Sequence, residues 1–336
     1  MNSLERLLAA ARFDATDRTP FMPQLFGLAA RTAGVGLDAY ARAGRPMAEC
    51  QLRQQERLGT DAVFAFSDLG VETEALGSRL EYYERQYPEV VDYALEPTDD
   101  PAILSLPDPA RDGRMPEVLA ALGLLRHALG DSVMVAGGVA GPMTLAAQLY
   151  GAEKALYLAM DDRPRFEAAL DLAVGVAIRF GAAQLAAGAH MVMVLDPMAS
   201  PAVVPPQFFR ELLLPRLQRL MAGLRAAGTL ATWLNIAGPT APVLPHYAEI
   251  GAAIATFDYY LEPAAARSLL PHTCLLGNLT SLDFLAPSPQ NLTAQARRLM
   301  AAFADRGGYI LSSGCEIPPE AGESNIAALA AVVAGG

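Results

Sequence analysis

Two adjacent residues near the end of the chain, Cys315 and Glu316, place a thiol and a carboxyl group just after a predicted strand. The apolar run at 309–311 predicts that strand, and a helix-length apolar run begins near 325. A strand that ends in polar residues and leads to a helix is typical of the active-site rim of a barrel enzyme. Cys315 could act as a thiolate or a single metal ligand, with its pKa lowered by the following helix, and Glu316 as an acid or base.

Other polar side chains follow the remaining predicted strands, where the same rim would place them. Asp68 is the third catalytic candidate, because a carboxyl group at this position could orient or protonate a substrate. The predicted substrate-binding residues are Asp196, Asn235, Asp258, Tyr259 and Asn278. Structural explanations stay open for these residues, since a carboxylate can cap a helix and Asp196 forms a turn-favouring pair with the next proline.

Short apolar runs alternate with longer helical patterns along the whole chain. The eight predicted strands cover residues 20–27, 61–66, 133–139, 191–195, 229–234, 254–257, 274–276 and 309–311. The main predicted helices cover residues 2–13, 47–58, 115–129, 143–158, 163–187, 206–227 and 290–306, with a last one from about 325. Such alternation indicates a parallel sheet, and eight units of this length predict a single (β/α)8 TIM barrel over residues 1–336.

Two additions to the barrel are expected. The helix at 2–13 is an N-terminal extension, and the irregular stretch at 78–110, rich in Tyr, Pro and Asp, predicts an excursion with a small hairpin beside the barrel mouth. An open doubly wound sheet is the structural alternative. No glycine-rich dinucleotide fingerprint follows any predicted strand, so a nucleotide cofactor of that kind is not expected.

Composition and charge exclude several classes of function. The chain has 336 residues, is 52% hydrophobic and 18% charged, and carries a formal net charge of −11. This acidity argues against nucleic acid and against anionic membrane surfaces. The 3 cysteines are widely spaced and form no disulfide framework, which favours a reducing cytoplasm. The longest apolar stretches are interrupted before the roughly 20 residues of a membrane span.

The 4 histidines lie away from the predicted rim. His127 and His246 fall in predicted helices, whereas His190 and His272 stand at the beginnings of predicted strands, which is the stability face of a barrel. A histidine-rich metal site or a Ser-His-Asp triad is therefore not expected.

Four segments resemble the uroporphyrinogen decarboxylase superfamily. They are the Ile-Leu-Ser-Ser-Gly-Cys-Glu-Ile-Pro run at 310–318 and the turns at 66–68, 141–145 and 195–197. The Gly-Cys-Glu-Ile-Pro motif is most similar to the corrinoid-linked methyltransferases of the methylcobalamin:coenzyme M type. The resemblance covers roughly residues 2–332 and implies a (β/α)8 barrel whose mouth accepts a tetrapyrrole-derived partner.

The chain departs from both branches of the family at positions that carry chemistry. The methyltransferase branch has a His-x-Cys-Gly zinc motif, at which this chain has Asn235 and Ala237, so Cys315 is the only retained family ligand and no zinc is expected. The decarboxylase branch has N-terminal arginines that hold porphyrin carboxylates. This chain has none around 24–27, although Asp68 matches the decarboxylases' essential aspartate.

The resemblance implies a methyltransferase that moves a methyl group between a corrinoid, such as methylcobalamin, and a small-molecule substrate. No corrinoid-binding Asp-x-His-x-x-Gly segment is present, so the corrinoid would arrive free or on a corrinoid protein. Two alternatives stay open: a decarboxylase of a porphyrinogen or smaller carboxylic acid that uses Asp68, and a non-catalytic tetrapyrrole-binding barrel. A homodimer is also left open.

Overall fold

Seven parallel strands form the central sheet of the computed structural model, which describes residues 1–96 and 98–335. In chain order the strands are β1 (Ala62–Ala65), β2 (Arg79–Glu81), β3 (Glu89–Asp92), β4 (Met134–Ala140), β5 (Met191–Leu195), β6 (Thr232–Asn235), β7 (Ile254–Thr256), β8 (Cys274–Leu279) and β9 (Tyr309–Ser313). The order in the sheet is β1-β4-β5-β6-β7-β8-β9, and β2 pairs with β3 in a separate antiparallel hairpin. The predicted α/β class and the hairpin within 78–110 are therefore confirmed.

The predicted first strand at 20–27 is not a regular strand. It makes a single bridge, between Phe21 and Leu311. Its backbone nevertheless contacts both edge strands of the sheet: Leu311 N donates to Pro20 O at 2.9 Å, and Asp61 N donates to Phe21 O at 2.9 Å. The prolines at 20 and 23 lack an N–H group, which explains why the ladder ends after one bridge.

Helices surround the sheet. They are α1 (Ser3–Ala11), α2 (Gly27–Thr32), α3 (Leu37–Arg42), α4 (Gly44–Leu58), α5 (Val71–Ala75), α6 (Met115–Leu129), α7 (Pro142–Tyr150), α8 (Ala152–Asp161), α9 (Arg163–Ala186), α10 (Pro206–Phe208), α11 (Leu214–Ala226), α12 (His246–Ile250), α13 (Pro263–Leu269), α14 (Gln290–Phe303) and α15 (Glu323–Ala334). Most of these helices lie on the outer face of the sheet, whereas α1 packs Leu4 and Leu7 against the side chains inside it. A π-helical segment, Phe209–Leu213, joins α10 to α11. The predicted helix at 143–158 is two helices, because Gly151 between them has a positive φ of 84°.

Two hydrophobic layers lie on opposite faces of the strands. Alternate strand residues such as Phe64, Met193 and Trp233 pack inside the curled sheet, whereas Val63 and Val192 belong to the layer between the sheet and the helices. This two-residue period follows from the geometry of a strand, whose successive side chains point to opposite faces. The interior is thus filled with side chains below the mouth, as in a barrel core.

Helix α9 is long and apolar enough to cross a membrane by length and composition, contrary to the expectation from the sequence. Half of its apolar window is buried inside the protein. Its Gln184 side chain binds the backbone of β4, accepting from Gly138 N at 2.9 Å and donating to Gly138 O at 2.8 Å. These contacts are those of a core helix of this fold.

The end of the sheet opposite the mouth is held by a buried ion cluster. The Asp61 carboxylate accepts from Arg6 Nη1 at 2.7 Å and from Arg18 Nη2 at 2.9 Å, which fixes α1 against the sheet. His190 lies at this same end, where its Nδ1 accepts from Val135 N at 3.0 Å. Burial lowers the pKa of His190, so it serves as a neutral structural group.

Candidate functional site

A pocket of about 320 Å³ opens at the carboxyl ends of the strands. The side chains and backbone that line it belong to the segment after 20–22, the loop after β1, the hairpin, α7, and the ends of β5, β6 and β9. The lining residues are Gln24, Phe26, Phe66, Ser67, Asp68, Leu69, Gly70, Tyr87, Pro88, Val90, Gln148, Leu195, Pro197, Asn235, Ala237, Cys315 and Glu316. The structure therefore brings together four of the predicted site residues: Asp68, Asn235, Cys315 and Glu316.

Asp68 is locked into the wall by an arginine. Arg114, at the start of α6, donates from Nη1 to Asp68 Oδ2 at 2.7 Å and from Nη2 to Oδ1 at 2.9 Å. Ser67 Oγ donates to Oδ2 at 2.7 Å, and Gly70 N donates to Oδ1 at 2.8 Å. Asp68 is only 8% exposed, so nearly all of its hydrogen-bonding capacity is used by the protein itself.

Burial alone would raise the pKa of Asp68, but the Arg114 charge and the hydrogen bonds outweigh it and lower that pKa. Asp68 is accordingly a carboxylate at neutral pH. A group in this state holds no proton to give to a carbanion, although it can orient its neighbours. The lowered pKa therefore disfavours the predicted proton-donor role of Asp68.

Glu316, which follows β9, has a different environment. Its Oε1 accepts a hydrogen bond from the Tyr87 hydroxyl, and Gly27 N approaches the same oxygen at 3.4 Å. Gly27 N also donates to the Tyr87 hydroxyl at 2.8 Å. A Cβ at residue 27 would collide with that hydroxyl, so glycine allows the hairpin to close onto the pocket here.

The Glu316 side chain carries a proton more readily than an ordinary glutamate. Burial raises its pKa to about 7, with the charge of Asp68 adding to the effect and the hydrogen bond from Tyr87 opposing it. Burial also raises the pKa of Tyr87 well above its usual value. Glu316 can thus exist as either acid or carboxylate near neutral pH, which is the property expected of a group that participates in chemistry.

The expected lowering of the Cys315 pKa is wrong. Burial raises the pKa of this thiol to about 11, and nearby Glu316 and Asp258 add to the increase. The sequence-based expectation relied on the positive end of a following helix, but α15 begins only at residue 323. Cys315 lines the pocket, and its predicted catalytic role stays a prediction.

Asn235 connects three elements at the base of the pocket. Its Nδ2 donates to Gln24 Oε1 at 2.7 Å, and Gln24 Nε2 donates to Ser313 O at 3.1 Å. The amide of Asn235 at the end of β6 is therefore tied through Gln24 to the end of β9. Both side chains still line the pocket, so they can contact a ligand from a rigid position.

Asp196 does not line the pocket. Its carboxylate accepts from Thr144 N at 2.8 Å and from Thr144 Oγ1 at 2.7 Å, and in this way caps the first turn of α7. Gly141 lies so close to the Asp196 side chain that a Cβ there would collide with it. Burial raises the pKa of Asp196 to about 6. These contacts account for the Gly-Pro turn that precedes α7.

Asp258, Tyr259 and Asn278 also lie outside this pocket. Asp258 Oδ2 accepts from Gly238 N at 2.9 Å, and Asn278 Nδ2 donates to Leu261 O at 2.8 Å, so both side chains hold loops after β7 and β6. Tyr259 is 39% exposed on the rim and, with Asn278, lines a separate shallow cavity. Their predicted contact with substrate stays a prediction.

Several lining residues were not predicted from the sequence. Gln24, Tyr87 and Gln148 line the pocket, and Arg114 sets the charge state of Asp68 from behind it. Tyr87 lies in the predicted excursion, whose richness in Tyr and Pro was the available signal. Arg114 had no signal, because its partner Asp68 lies 46 residues earlier in the chain.

The three positions that match the family's zinc motif do not form a zinc site. Ala237 has no donor atom, and the Asn235 amide nitrogen is bound to Gln24. Cys315 alone keeps a donor of the kind that zinc prefers, and zinc needs three or four such ligands. Within residues 1–96 and 98–335, no group of three His, Cys, Asp or Glu side chains is placed to hold a metal ion.

The fold and site define a parallel α/β protein with an apolar pocket at the carboxyl ends of its strands, the usual position of the active site in barrel enzymes. Residues 2–335 match the uroporphyrinogen decarboxylase (URO-D) family, so the chain belongs to that family.

Named relatives fall into two groups of enzymes. A methylcobamide:CoM methyltransferase, MtaA, of Methanosarcina barkeri is 29% identical over 297 residues, covering 85% of this chain and 83% of that protein. A uroporphyrinogen decarboxylase of Xylella fastidiosa is 28% identical over 352 aligned residues, covering 98% of this chain and 97% of that protein. Among solved structures, a methyltransferase from Methanosarcina mazei superposes with a TM-score of 0.91 at 26% identity, covering 100% and 99% of the two chains.

Proposed function

We propose that this protein transfers a methyl group between a corrinoid carrier and a small substrate without the help of zinc. The observation that carries the proposal is the pocket itself, which is lined by Asp68 and by the Cys315–Glu316 segment at the mouth of a methyltransferase-like fold. The pocket volume of about 320 Å³ suits a small substrate and lies at the low end of the usual range of roughly 300–1,000 Å³.

The mouth also suits contact with a larger partner. Tyr259 and Tyr260 stack with their ring centroids 4.5 Å apart, and both are exposed on the loop after β7. Leu282 and Leu285 are exposed after β8 at the same end of the sheet. We infer that a corrinoid, free or carried by another protein, approaches this apolar rim while the small substrate occupies the pocket.

The backbone contacts of one segment support the (β/α)8 architecture that the family implies. The Phe21 segment stands in the gap between β9 and β1, and it hydrogen-bonds to both sides. We propose that this segment acts as the eighth barrel position. A cytoplasmic location stays a proposal that rests on the widely spaced cysteines, and a homodimer stays an open prediction.

The decarboxylase alternative is less well supported by the site. A porphyrinogen carries several carboxylates, and the lining within the described residues contains no Lys, Arg or His to bind them. Arg114, the nearest cation to Asp68, is 6% exposed and already paired with Asp68 and Glu74. Asp68 also favours its ionised form, which does not protonate a carbanion.

The test begins with two measurements on the purified full-length protein: zinc by elemental analysis, and binding of cob(I)alamin and methylcobalamin followed by visible absorbance. We expect less than about 0.1 zinc per chain, because positions 235 and 237 lack the ligands that zinc requires. We also expect a saturable spectral change when the corrinoids bind. Stoichiometric zinc would contradict the zinc-free reaction. Failure to bind either corrinoid would overturn methyl transfer and favour a small-acid decarboxylase or a non-catalytic barrel.

A gain-of-ligand variant tests whether the zinc positions are correctly matched. The double substitution Asn235→His with Ala237→Cys adds two donors near Cys315, and we expect it to bind about one zinc per chain. The single Ala237→Cys variant is the control and should stay below half occupancy. If the double variant gains no zinc, the correspondence of these positions with the family's metal motif is wrong.

A further inference from the structure

We propose that the small substrate of this pocket is a cation, namely a methylated ammonium or sulfonium compound, which is held by acidic and aromatic side chains. The inference rests on the proposed methyl transfer and narrows its substrate class. It differs from what the relatives' names suggest, because coenzyme M carries an anionic sulfonate.

The first relevant feature of the pocket is the charge of its lining. Two carboxyl groups, those of Asp68 and Glu316, face the pocket, and no cationic side chain lines it within the described part of the chain. Arg114 cannot serve a ligand, because it makes a bidentate pair with Asp68 and a 2.6 Å bond from Nε to Glu74. A buried anion without an ionic partner would lose its hydration with little compensation.

The second feature of the pocket is its aromatic lining. Phe26 and Phe66 line the pocket as neighbours, with ring centroids 4.8 Å apart and planes inclined at 64°, and Tyr87 lies on the Glu316 side. Aromatic faces attract onium groups, and the attraction is larger when the cation leaves bulk water. Rings next to a carboxyl group therefore favour a methylated cation over a neutral molecule of the same shape.

The chemistry of the leaving group also favours a cationic substrate. When a methyl group leaves an ammonium or sulfonium ion, the C–N or C–S bond breaks and its electron pair stays on nitrogen or sulfur. The new bond to the methyl carbon takes its electron pair from the co-reactant, a cobalt(I) corrinoid, whose metal is formally oxidised by two electrons. The product amine or sulfide is neutral, so the step requires neither a proton nor a metal-bound thiolate.

This reaction matches what the pocket contains. Ala237 has no donor atom and the Asn235 amide nitrogen is bound to Gln24, so these positions cannot activate a thiol through zinc. Without zinc, a thiol acceptor would not be activated, whereas an onium donor needs no such activation. The remaining groups bind the substrate: Glu316 through its charge, and Phe26 and Phe66 through their rings.

Isothermal titration calorimetry on the full-length protein tests the proposal without any corrinoid. The probes are tetramethylammonium, trimethylsulfonium and choline, compared with 3,3-dimethylbutan-1-ol as the neutral analogue of choline and with 2-mercaptoethanesulfonate. We expect at least one onium probe to bind, choline to bind about tenfold or more tightly than its neutral analogue, and the sulfonate to bind most weakly. Equal affinity for choline and its analogue, tighter binding of the sulfonate, or no binding of any onium probe would overturn the proposal.

Two variants and one control locate the preference in the pocket. Glu316→Gln should reduce the choline preference about tenfold, and Phe66→Leu should reduce it several-fold while leaving the neutral analogue unaffected. Glu320→Gln removes an exposed carboxylate four residues away and should leave the preference unchanged. Circular dichroism verifies that each variant is folded. A Glu320→Gln effect as large as that of Glu316→Gln would mean that only the general negative field attracts the cation.

The two proposals can fail separately. Cation binding without any corrinoid spectral change would leave the ligand class standing and remove methyl transfer. Corrinoid binding together with a preference for the neutral or anionic probe would leave methyl transfer standing and remove the onium substrate.

Discussion

Asp68 and Glu316 face the same pocket with the same functional group, yet their environments give them opposite charge preferences. Asp68 has a bidentate arginine, a hydroxyl and a backbone N–H as partners, and its pKa is lowered. Glu316 has a tyrosine hydroxyl and a distant backbone N–H, and burial raises its pKa to about 7. The partners of a buried carboxyl group, rather than its residue type, therefore decide whether it is a fixed anion or a group that can change its charge.

The pocket has an Asp68 wall, formed by the loop after β1, and a Glu316 wall, formed by the segment after β9, and the two differ in rigidity. The Asp68 wall is a closed network that extends through Arg114 to Glu74, so it maintains a constant shape and charge. The Glu316 wall depends on Tyr87, which reaches it from the hairpin between β2 and β3. Any adjustment of the pocket to a bound ligand is expected on the second wall.

The largest effect should come from removing the cation of the Asp68 network. Arg114→Met leaves a buried carboxylate without its ionic partner, and the free energy of unfolding should fall by about 3–5 kcal/mol. Urea unfolding at pH 7 measures it. Arg126→Met on the same helix is the matched control, because Arg126 pairs with the exposed Asp131 and should cost less than about 1 kcal/mol. Similar losses in both variants would mean that Asp68 is not held as described.

The pH dependence of stability separates the two kinds of carboxyl group. Glu72 is buried, its Oε1 accepts from Ala140 N at 2.8 Å, and burial raises its pKa to about 7, as for Glu316. The unfolded chain releases both protons near the ordinary value of 4.5, whereas the folded chain keeps them to about 7. The folded state thus binds more protons between these values, and raising the pH across this range should reduce stability.

Glu72→Gln should make that decline shallower by up to about 1.4 kcal/mol per pH unit, as measured by urea unfolding between pH 5 and pH 7. Asp68→Asn should also make the decline shallower, but by less, because Asp68 itself is ionised throughout this range and only its charge helps to raise the pKa of Glu72 and Glu316. A slope that is unaffected by Glu72→Gln would show that Glu72 is ionised in the folded protein.

A smaller effect is expected when the hydrogen bond to Glu316 is removed. Tyr87→Phe eliminates a donor that favours the carboxylate, so the pKa of Glu316 should rise by about one further unit. Carbon-13 NMR of the glutamate carboxyl groups measures the change. Tyr83→Phe, in the same hairpin but bonded to exposed Glu81, is the control and should not move this pKa. A fall in the Tyr87→Phe variant would contradict the assigned direction of the hydrogen bond.

The smallest effect is expected at the rim. Tyr259 lies outside the pocket lining, so in Tyr259→Ala the affinity for a small cationic probe should change less than about twofold, because an exposed side chain at the edge of a site contributes little to binding. Calorimetry on wild type and variant provides the comparison. A loss greater than about tenfold would extend the substrate site to the rim and restore the predicted role of Tyr259.

Much of the fold could be predicted from local sequence patterns, and the predictions that failed did so for local reasons. The apolar runs at 133–139, 191–195 and 309–311 predicted β4, β5 and β9 because buried parallel strands have continuous apolar sequences. The run at 20–27 has the same apolar character, but its prolines limit it to one bridge and α2 begins at residue 27. Short helices such as α2 and α5 were missed because five or six residues contain too little periodicity.

The predictions of site residues also include successes and failures with identifiable reasons. Asp68, Cys315 and Glu316 were predicted because each follows a strand, and the carboxyl ends of parallel strands meet at one end of a sheet. Asp196 and Asp258 follow strands as well, but their carboxylates bind neighbouring backbone groups. Position after a strand is therefore insufficient to separate a lining residue from a capping one.

The sequence by itself determined which residues reach the mouth, since strand ends are set by local apolar runs, and which donors are missing from the zinc positions. Only the tertiary structure decided the charge of those residues. Asp68 is ionised because of Arg114, which lies 46 residues away in the chain, and Glu316 is bonded to Tyr87 at a separation of 229 residues. A pKa depends on burial and on charges within a few ångströms, and those distances exist only after the chain has folded.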